Sequence, residues 1–217
     1  MQWIVLDETG STTQAAREKL LTQPLPFAVL ARRQTAGQGQ WGRVWVHEAG
    51  NLALTVAWPK AAVSEAMLPQ VGYLVALAVR AAAGQGGASL KFKWPNDLYY
   101  NGVKAGGILV EVAGEALLIG IGVNVATAPA VADRPTACLA QAGYQGDAET
   151  LAQQIVTALE QGFAKARRLG FASVRSAWLA EALFLGEPLT ANGQTGRFLG
   201  LDGWGRVVLA ASPLKYL

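Results

Sequence analysis

Apolar positions along this chain follow two spacings, and each predicts a different element. Short apolar runs bounded by turn residues, "WIVLD", "FAVLARRQ" and "NLALTVAW", read as strands. Between the first two, Ser11-Thr12-Thr13 offers an N-cap for a helical stretch reaching about Leu21. Val71, Leu74, Val75, Ala78 and Val79 recur at helical spacing, which predicts a helix from Pro69 to Ala83 with Gly84 as its C-terminal cap. Strand character returns in "SLKFKW", followed by a turn at "PND". Two near-continuous apolar runs, "KAGGILVEV" and "ALLIGIGVNVA", then meet at Gly114-Glu115, as a hairpin in a buried sheet would. Leu151, Ile155, Leu159 and Phe163 mark an amphipathic helix over 148–169, and a further helix is expected around 171–182. Near Leu185 the pattern changes to short strands punctuated by Asn192-Gly193, Gly196 and Asp202-Gly203. That pattern predicts a small β-barrel appended to a larger mixed α/β domain.

Composition narrows the picture without changing it. The 217 residues are 52% hydrophobic and 15% charged, enough for one full domain or a domain with a small appendage. Net charge is +3 and no Lys/Arg block stands out, which argues against nucleic acid as the main ligand. One Cys (Cys138) rules out an internal disulfide, and one Cys with one His excludes a structural zinc site. A Ser-His-Asp triad would have to use His47. The opening "MQWIVLDETG" lacks the basic and apolar regions of a signal peptide. The longest apolar stretch, "VGYLVALAVRAAAG", is too short to span a bilayer and carries Arg80. The expectation is therefore a soluble, cytoplasmic protein with no membrane partner.

Three segments could carry chemistry. In "KFKWPNDLYYNGVKAGGILVE", Lys93, Asn96, Asp97 and Lys104 sit between strands that otherwise favour apolar residues. Trp94-Pro95 is a rigid lead-in for a mere turn. The small residues Ala105-Gly106-Gly107 leave room for a ligand beside Lys104, where a partly desolvated ammonium would stabilise a phosphate or carboxylate. In "RRQTAGQGQWGRVW", Gly37, Gly39 and Gly42 leave backbone N–H groups able to face an anion or polar ligand. The loop is neither a Walker A nor a dinucleotide fingerprint, since no Gly-Lys-Ser/Thr follows and no helix opens. In "GIGVNVA", Asn124 interrupts a strand end, as a satisfied turn residue or as a ligand contact; taken alone it reads as structural.

Taken together, Ser11-Thr12, the glycine loop, "FKWPNDLYYNGVKAGGILVE", "IGIGVNV", "RPTACLA" and "TGRFLGLDGWGRVVLA" resemble, in order and spacing, the biotin–protein ligases. The resemblance covers nearly the whole chain, and KWPNDL with K-x-x-G-I-L-x-E downstream is its most specific part. It implies an α+β fold: a mixed β-sheet flanked by helices over 1–183, then an SH3-like barrel over 184–217. The chain starts at the catalytic part, so it is similar to the members without an N-terminal DNA-binding domain, and no DNA partner is expected.

The activity implied is ATP-dependent. Biotin and MgATP give biotinyl-AMP, and a lysine of a biotin carboxyl carrier protein then takes the biotin. ATP with Mg²⁺, and biotin as substrate, are the small molecules expected; a redox cofactor or zinc is not. Carried over by resemblance, Lys104, Asp97 and Arg43 are catalytic, and Asp97 is also the candidate Mg²⁺ ligand. Ser11, Thr12, Gln34, Gly37, Gln38, Gln40, Lys104, Gly106 and Gly107 face biotin. Gly39, Gly42, Arg43, Trp45, Lys93, Asn96 and Asn124 face the nucleotide. Family habit and the sheet favour a homodimer.

The family's loop reads G-R-G-R-x-G-R, so Gln38 and Gln40 replace two guanidiniums by neutral amides that forgo charge-assisted bonds. Looser retention of the adenylate is the expected consequence. The alternatives are a lipoate or octanoate ligase of the same fold, or a non-catalytic biotin- or adenylate-binding module. Against a Cys/Lys transferase, Cys138 in "TACLA" reads as a small core residue in a helical, partly buried site.

Overall fold

A computed structural model describes residues 1–132 and 134–210 and the backbone of 215–216. In chain order its elements are β1 (Gln2–Thr9), α1 (Thr12–Lys19), β2 (Phe27–Gln34), β3 (Gly37–Gln38), β4 (Val44–Trp45), β5 (Leu52–Pro59), α2 (Val71–Gln85), β6 (Lys91–Lys93), β7 (Asp97–Tyr100), β8 (Val103–Ala113) and β9 (Ala116–Val123). There follow α3 (Ala148–Leu169), α4 (Phe171–Ala180), β10 (Pro188–Ala191), β11 (Gln194–Leu201), β12 (Val207–Ala210) and β13 (Lys215–Tyr216).

Seven strands form one mixed sheet in the order β1-β2-β5-β9-β8-β7-β6, with β1 and β2 parallel and every other neighbouring pair antiparallel. The predicted hairpin is β8–β9, paired from Gly106↔Val123 to Ala113↔Ala116 around Gly114-Glu115. Strand alternation divides the side chains between two faces. Ala28, Leu30, Leu52, Leu54, Val56, Leu117, Ile119, Ile121 and Val123 enter the main core with α2, α3 and α4. Phe27, Val29, Ala57 and Leu118 turn the other way and pack with Ala16 of α1. Asp147 caps α3 by accepting from Thr150 N–H at 2.7 Å, and Trp58 of β5 stacks on Phe163 of α3 with ring centroids 4.6 Å apart.

The structure adjusts several boundaries. Pro69 lies inside a 3-10 helix, Glu65–Gln70, and α2 starts only at Val71. A proline has no N–H for an α-helical bond, so tighter turns precede the regular helix. Gly84 sits within the last turn and Gly86 closes it. With its 3-10 lead-in, this helical run reaches 21 residues, long and apolar enough by length and composition to cross a membrane, contrary to the expectation that it is too short; 56% of its most apolar window is buried inside the protein, as in a core helix. It is the helix around which the main core forms. Cys138, expected in a helix, instead precedes the 3-10 helix Leu139–Ala142, with its N–H bonded to Gln141 Oε1 at 3.0 Å; it is buried, as the core reading requires.

The C-terminal strands form an antiparallel sheet in the order β10-β11-β12-β13, consistent with an SH3-like domain. The sheet is open, not closed into a barrel, among the described residues; 211–214 and 217 of the predicted barrel lie outside them, as does Asp133.

Candidate active site

The face of the sheet that carries α1 is built from very small residues where β5, β8 and β9 meet: Ala53, Gly107, Gly120 and Gly122. Alternation explains this, because in "ALLIGIGV" the large apolar residues at 117, 119, 121 and 123 all serve the main core. The floor is therefore concave, and a cleft of about 580 Å³ opens over it. It runs across the sheet from the start of α1 and the end of β2 to the β6–β7 turn at the opposite edge.

At the α1 end, Ser11, Thr12, Thr13 and Gln34 line the cleft. Ser11 caps α1 through its Oγ, which accepts from Gln14 N–H at 3.4 Å. Gln34 Oε1 accepts from the N–H and hydroxyl of Thr12 at 2.9 and 3.2 Å, which fixes the amide's orientation. Thr55 donates to Thr12 Oγ1 at 2.9 Å and lies 3.1 Å from Thr13 Oγ1. Thr12 and Thr55 are buried, so this is an uncharged polar network held inside the protein, with the Gln34 NH₂ left as a donor.

At the centre, Lys104 of β8 reaches Asp97 of β7 at 2.6 Å, each side chain about a fifth exposed (20% and 23%). The β7–β8 register shift between Leu98 and Tyr99 brings the two together. Lys104 Nζ also lies 5.8 Å from the centroid of the Trp45 ring. That indole rests on Gly122, where a Cβ would come within 2.6 Å of it. Trp45 thus packs beside the cleft and under the loop.

The glycine loop is a two-stranded ribbon, Gly37 paired with Trp45 and Gln38 with Val44. Gln38, Gly39, Gln40, Arg43 and Trp45 line the cleft, as does Trp41 at the tip; Gly37 and Gly42 do not. The expectation of free backbone donors is corrected at Gly39. Gly39 N–H is bonded to Arg43 O at 2.7 Å and Arg43 N–H to Gln40 O at 3.3 Å, because so short a ribbon satisfies its own backbone first.

The remaining residues divide. Lys93, Asn96 and Gly107 line the cleft, whereas Gly106 is packed against Leu98 and Gly122 O beneath it. Lys93 donates to Tyr99 Oη at 3.3 Å and stands over the rings of Tyr99 and Phe184. The Asn96 amide donates to Ile108 O, while Ile108 N–H donates to Asn96 O at 3.0 Å, locking the turn to β8. Asn124 is buried outside the main cleft, its amide donating to Ala137 O at 2.9 Å; it borders a small neighbouring hollow shared with Lys104 and Arg134.

His47 lies off the cleft as well. Its Nδ1 accepts from Gln34 N–H at 3.3 Å and Nε2–H donates to Asn51 O at 2.9 Å. Burial pushes its pKa below the usual imidazole value.

Sequence reasoning missed other parts of the wall. Arg134 lines the cleft from the segment after β9, where "RPTACLA" was visible but its arginine carried no local signal. Trp94 and the hairpin tip Leu189–Asn192 close the β6 end, though Asn192-Gly193 reads in sequence only as a turn. Asn51 Oδ1, also missed, gathers the N–H groups of Val125, Ala126 and Thr127 at 2.9, 3.0 and 3.1 Å, shaping the chain beyond β9. Arg43, Lys93, Lys104 and Arg134 line the cleft against a single carboxylate, Asp97, among the described residues, so its field favours an anionic ligand.

Comparison with known proteins agrees with this geometry. Residues 5–127 match the biotin/lipoate A/B protein ligase family. The chain is 39% identical over 200 residues to the biotin–[acetyl-CoA-carboxylase] ligase of Paracoccus denitrificans, covering 83% of this chain and 82% of that protein. The Leishmania major biotin protein ligase in complex with biotinyl-5-AMP superposes with a TM-score of 0.78 at 28% identity, over 100% of this chain and 98% of that one. The Aquifex aeolicus biotin protein ligase in complex with biotin and ATP shares the fold with a TM-score of 0.88 at 24% identity, over 100% and 95% of the two chains.

Proposed function

The chain belongs to the biotin/lipoate A/B protein ligase family, and from that premise we propose that it is an ATP-dependent biotin–protein ligase acting on a biotin carboxyl carrier domain. The observation that carries the reading is one cleft with two chemically distinct ends and a Lys104–Asp97 pair between them. A urea ring offers two donors and one acceptor and carries no charge. The Ser11, Thr12 and Gln34 end supplies short neutral partners, among them the Gln34 NH₂ for the ureido oxygen.

In the first step a biotin carboxylate oxygen attacks the α-phosphorus of ATP, and the bond to pyrophosphate breaks. Two anions approach each other, so cations held at the meeting point lower the barrier. In this reading Lys104, which lines the cleft, serves that task together with Arg43 of the loop. In the second step the carrier lysine's amine attacks the acyl carbon, AMP leaves, and Asp97 is the carboxylate available to orient that amine or receive its proton.

Mg²⁺ fits this donor set. It binds through one or two carboxylates plus substrate phosphates, and the cleft offers one carboxylate, Asp97, with no cluster of three acidic, His or Cys ligands among the described residues. When bound it neutralises phosphate charge. The reading includes a homodimer, which the position of β1 at the edge of the sheet supports.

The test is mass spectrometry of a carrier domain incubated with the protein, MgATP and either biotin or lipoate. Modification of a single lysine by biotin is expected. Modification by lipoate alone would replace this reading with the lipoate one, and no modification with either acid would favour a binding module.

A further inference from the structure

Tyr73 on α2 is a buried phenol whose whole hydrogen-bonding capacity is used between two distant parts of the chain. Its hydroxyl donates to Gly205 O at 2.7 Å, in the turn joining β11 and β12, and accepts from the indole N–H of Trp94 at 3.1 Å. Trp94 is part of the cleft wall beside Lys93. The β11–β12 turn is itself rigid, since Asp202 accepts from the N–H groups of Trp204 and Arg206, both at 2.9 Å. It presses on Tyr73 closely enough that a Cβ at Gly205 (φ +82) would stand 3.1 Å from the phenol ring. At the far end of β11 the hairpin Leu189–Asn192 forms part of the same cleft wall. One hydroxyl therefore ties the C-terminal sheet and the Trp94 wall to a core helix. Both tied segments lie at the β6 edge of the sheet, where Leu183 pairs with Phe92 and Lys93 stands over Phe184.

We infer that Tyr73 is a positioning residue for the nucleotide end of the cleft: through its hydroxyl it sets the C-terminal hairpin and Trp94 at the spacing that receives ATP, while the α1 end is built independently of it. The inference rests on the ligase reading above. The independence of the two ends follows from the sheet order, since Ser11, Thr12 and Gln34 belong to the β1–β2 edge, on the opposite side of β5, β9 and β8.

The test is steady-state, biotin-dependent pyrophosphate release by wild type, Tyr73→Phe and Gly205→Ala. Thermal unfolding identifies the temperature at which each is folded. Tyr73→Phe keeps the ring against Trp178 (centroids 5.0 Å apart) and removes only the relay. Gly205→Ala displaces the turn, through backbone strain at φ +82 and through contact with the ring, with the phenol intact. Each is expected to raise the KM for ATP about five- to tenfold, the worth of a lost hydrogen bond, with the KM for biotin and kcat within about twofold. Unchanged ATP kinetics in folded Tyr73→Phe would overturn the inference, as would an equal rise in both KM values, which marks general loosening. A wild type that releases no pyrophosphate with biotin would instead overturn the functional reading itself.

Discussion

Replacing Lys104 by Gln separates the catalytic role proposed for this side chain from its role in holding the site together. Its ammonium is 2.6 Å from Asp97, at the middle of a cleft that collects four cations and one carboxylate. Removing one preorganised donor from a point where negative charge gathers costs about 10²–10³ in rate, or roughly 2.7–4 kcal/mol of barrier. The substitution also strips Asp97 of its counter-ion in surroundings only about a fifth exposed, which by itself destabilises the fold by on the order of 1–3 kcal/mol. A double variant removes this ambiguity. Asp97→Asn/Lys104→Gln leaves two neutral amides able to bond each other, so thermal stability returns towards wild type while pyrophosphate release stays low. The assay is single-turnover pyrophosphate release with saturating biotin and MgATP. Folded Lys104→Gln working within about tenfold of wild type, or a double variant that regains both stability and rate, would refute the placement of Lys104 at the reacting centre.

Asn51→Ala strands three N–H groups beyond β9, and a loss of about 2–4 kcal/mol follows; a melting point lowered by on the order of 5–15 °C would agree, and an unchanged one would not. His47 is held neutral by burial, so the native state binds fewer protons there than the unfolded chain. Its contribution is complete above the unfolded value of about 6.5 and lost as pH falls below it; urea midpoints of wild type and His47→Gln at pH 5 and pH 8 should show the steeper acid loss in wild type. Gln40→Arg adds one charge-assisted donor to the loop, roughly doubling the strength of that bond, so release of biotinyl-AMP should slow about five- to tenfold; equal off-rates would remove the link between the glutamines and retention.

The hairpin β8–β9 and helix α3 were legible because their signals are local: apolar runs meeting at a glycine turn, and apolar residues recurring every four. Lys104 and Asp97 were legible as chemistry because both interrupt strand sequence, although only the β7–β8 register shows that they touch. What stayed hidden depends on contacts between distant segments. Asn51 looks like a turn residue until the chain 74 residues later folds back onto its carboxamide. Asn192-Gly193 is a hairpin turn in any context, and its place in the cleft wall depends on how the C-terminal sheet docks. The loop glycines were misread in one respect. Their spacing does allow close backbone approach, but pattern alone could not show that Gly39 N–H is used within the ribbon.

The bonded state of that ribbon changes the weight of the loop's missing charge. With Gly39 N–H and Arg43 N–H engaged, the side chains of Arg43, Gln38 and Gln40 carry more of the loop's donor capacity towards an anion. Were the loop the sole source of positive potential, two neutral amides would be a severe loss. It is one of four sources. Lys93 comes from β6, Lys104 from β8 and Arg134 from the segment after β9, so three of the cleft's four cations stand outside the loop. On the proposed reading, chemistry at the centre then draws on Lys93 and Lys104 of the sheet, and retention of the product draws on the loop. On the proposed reading, such a cleft forms its adenylate with Arg43 as the loop's one arginine and releases it sooner than arginine-loop relatives do, the difference that the Gln40→Arg off-rates measure.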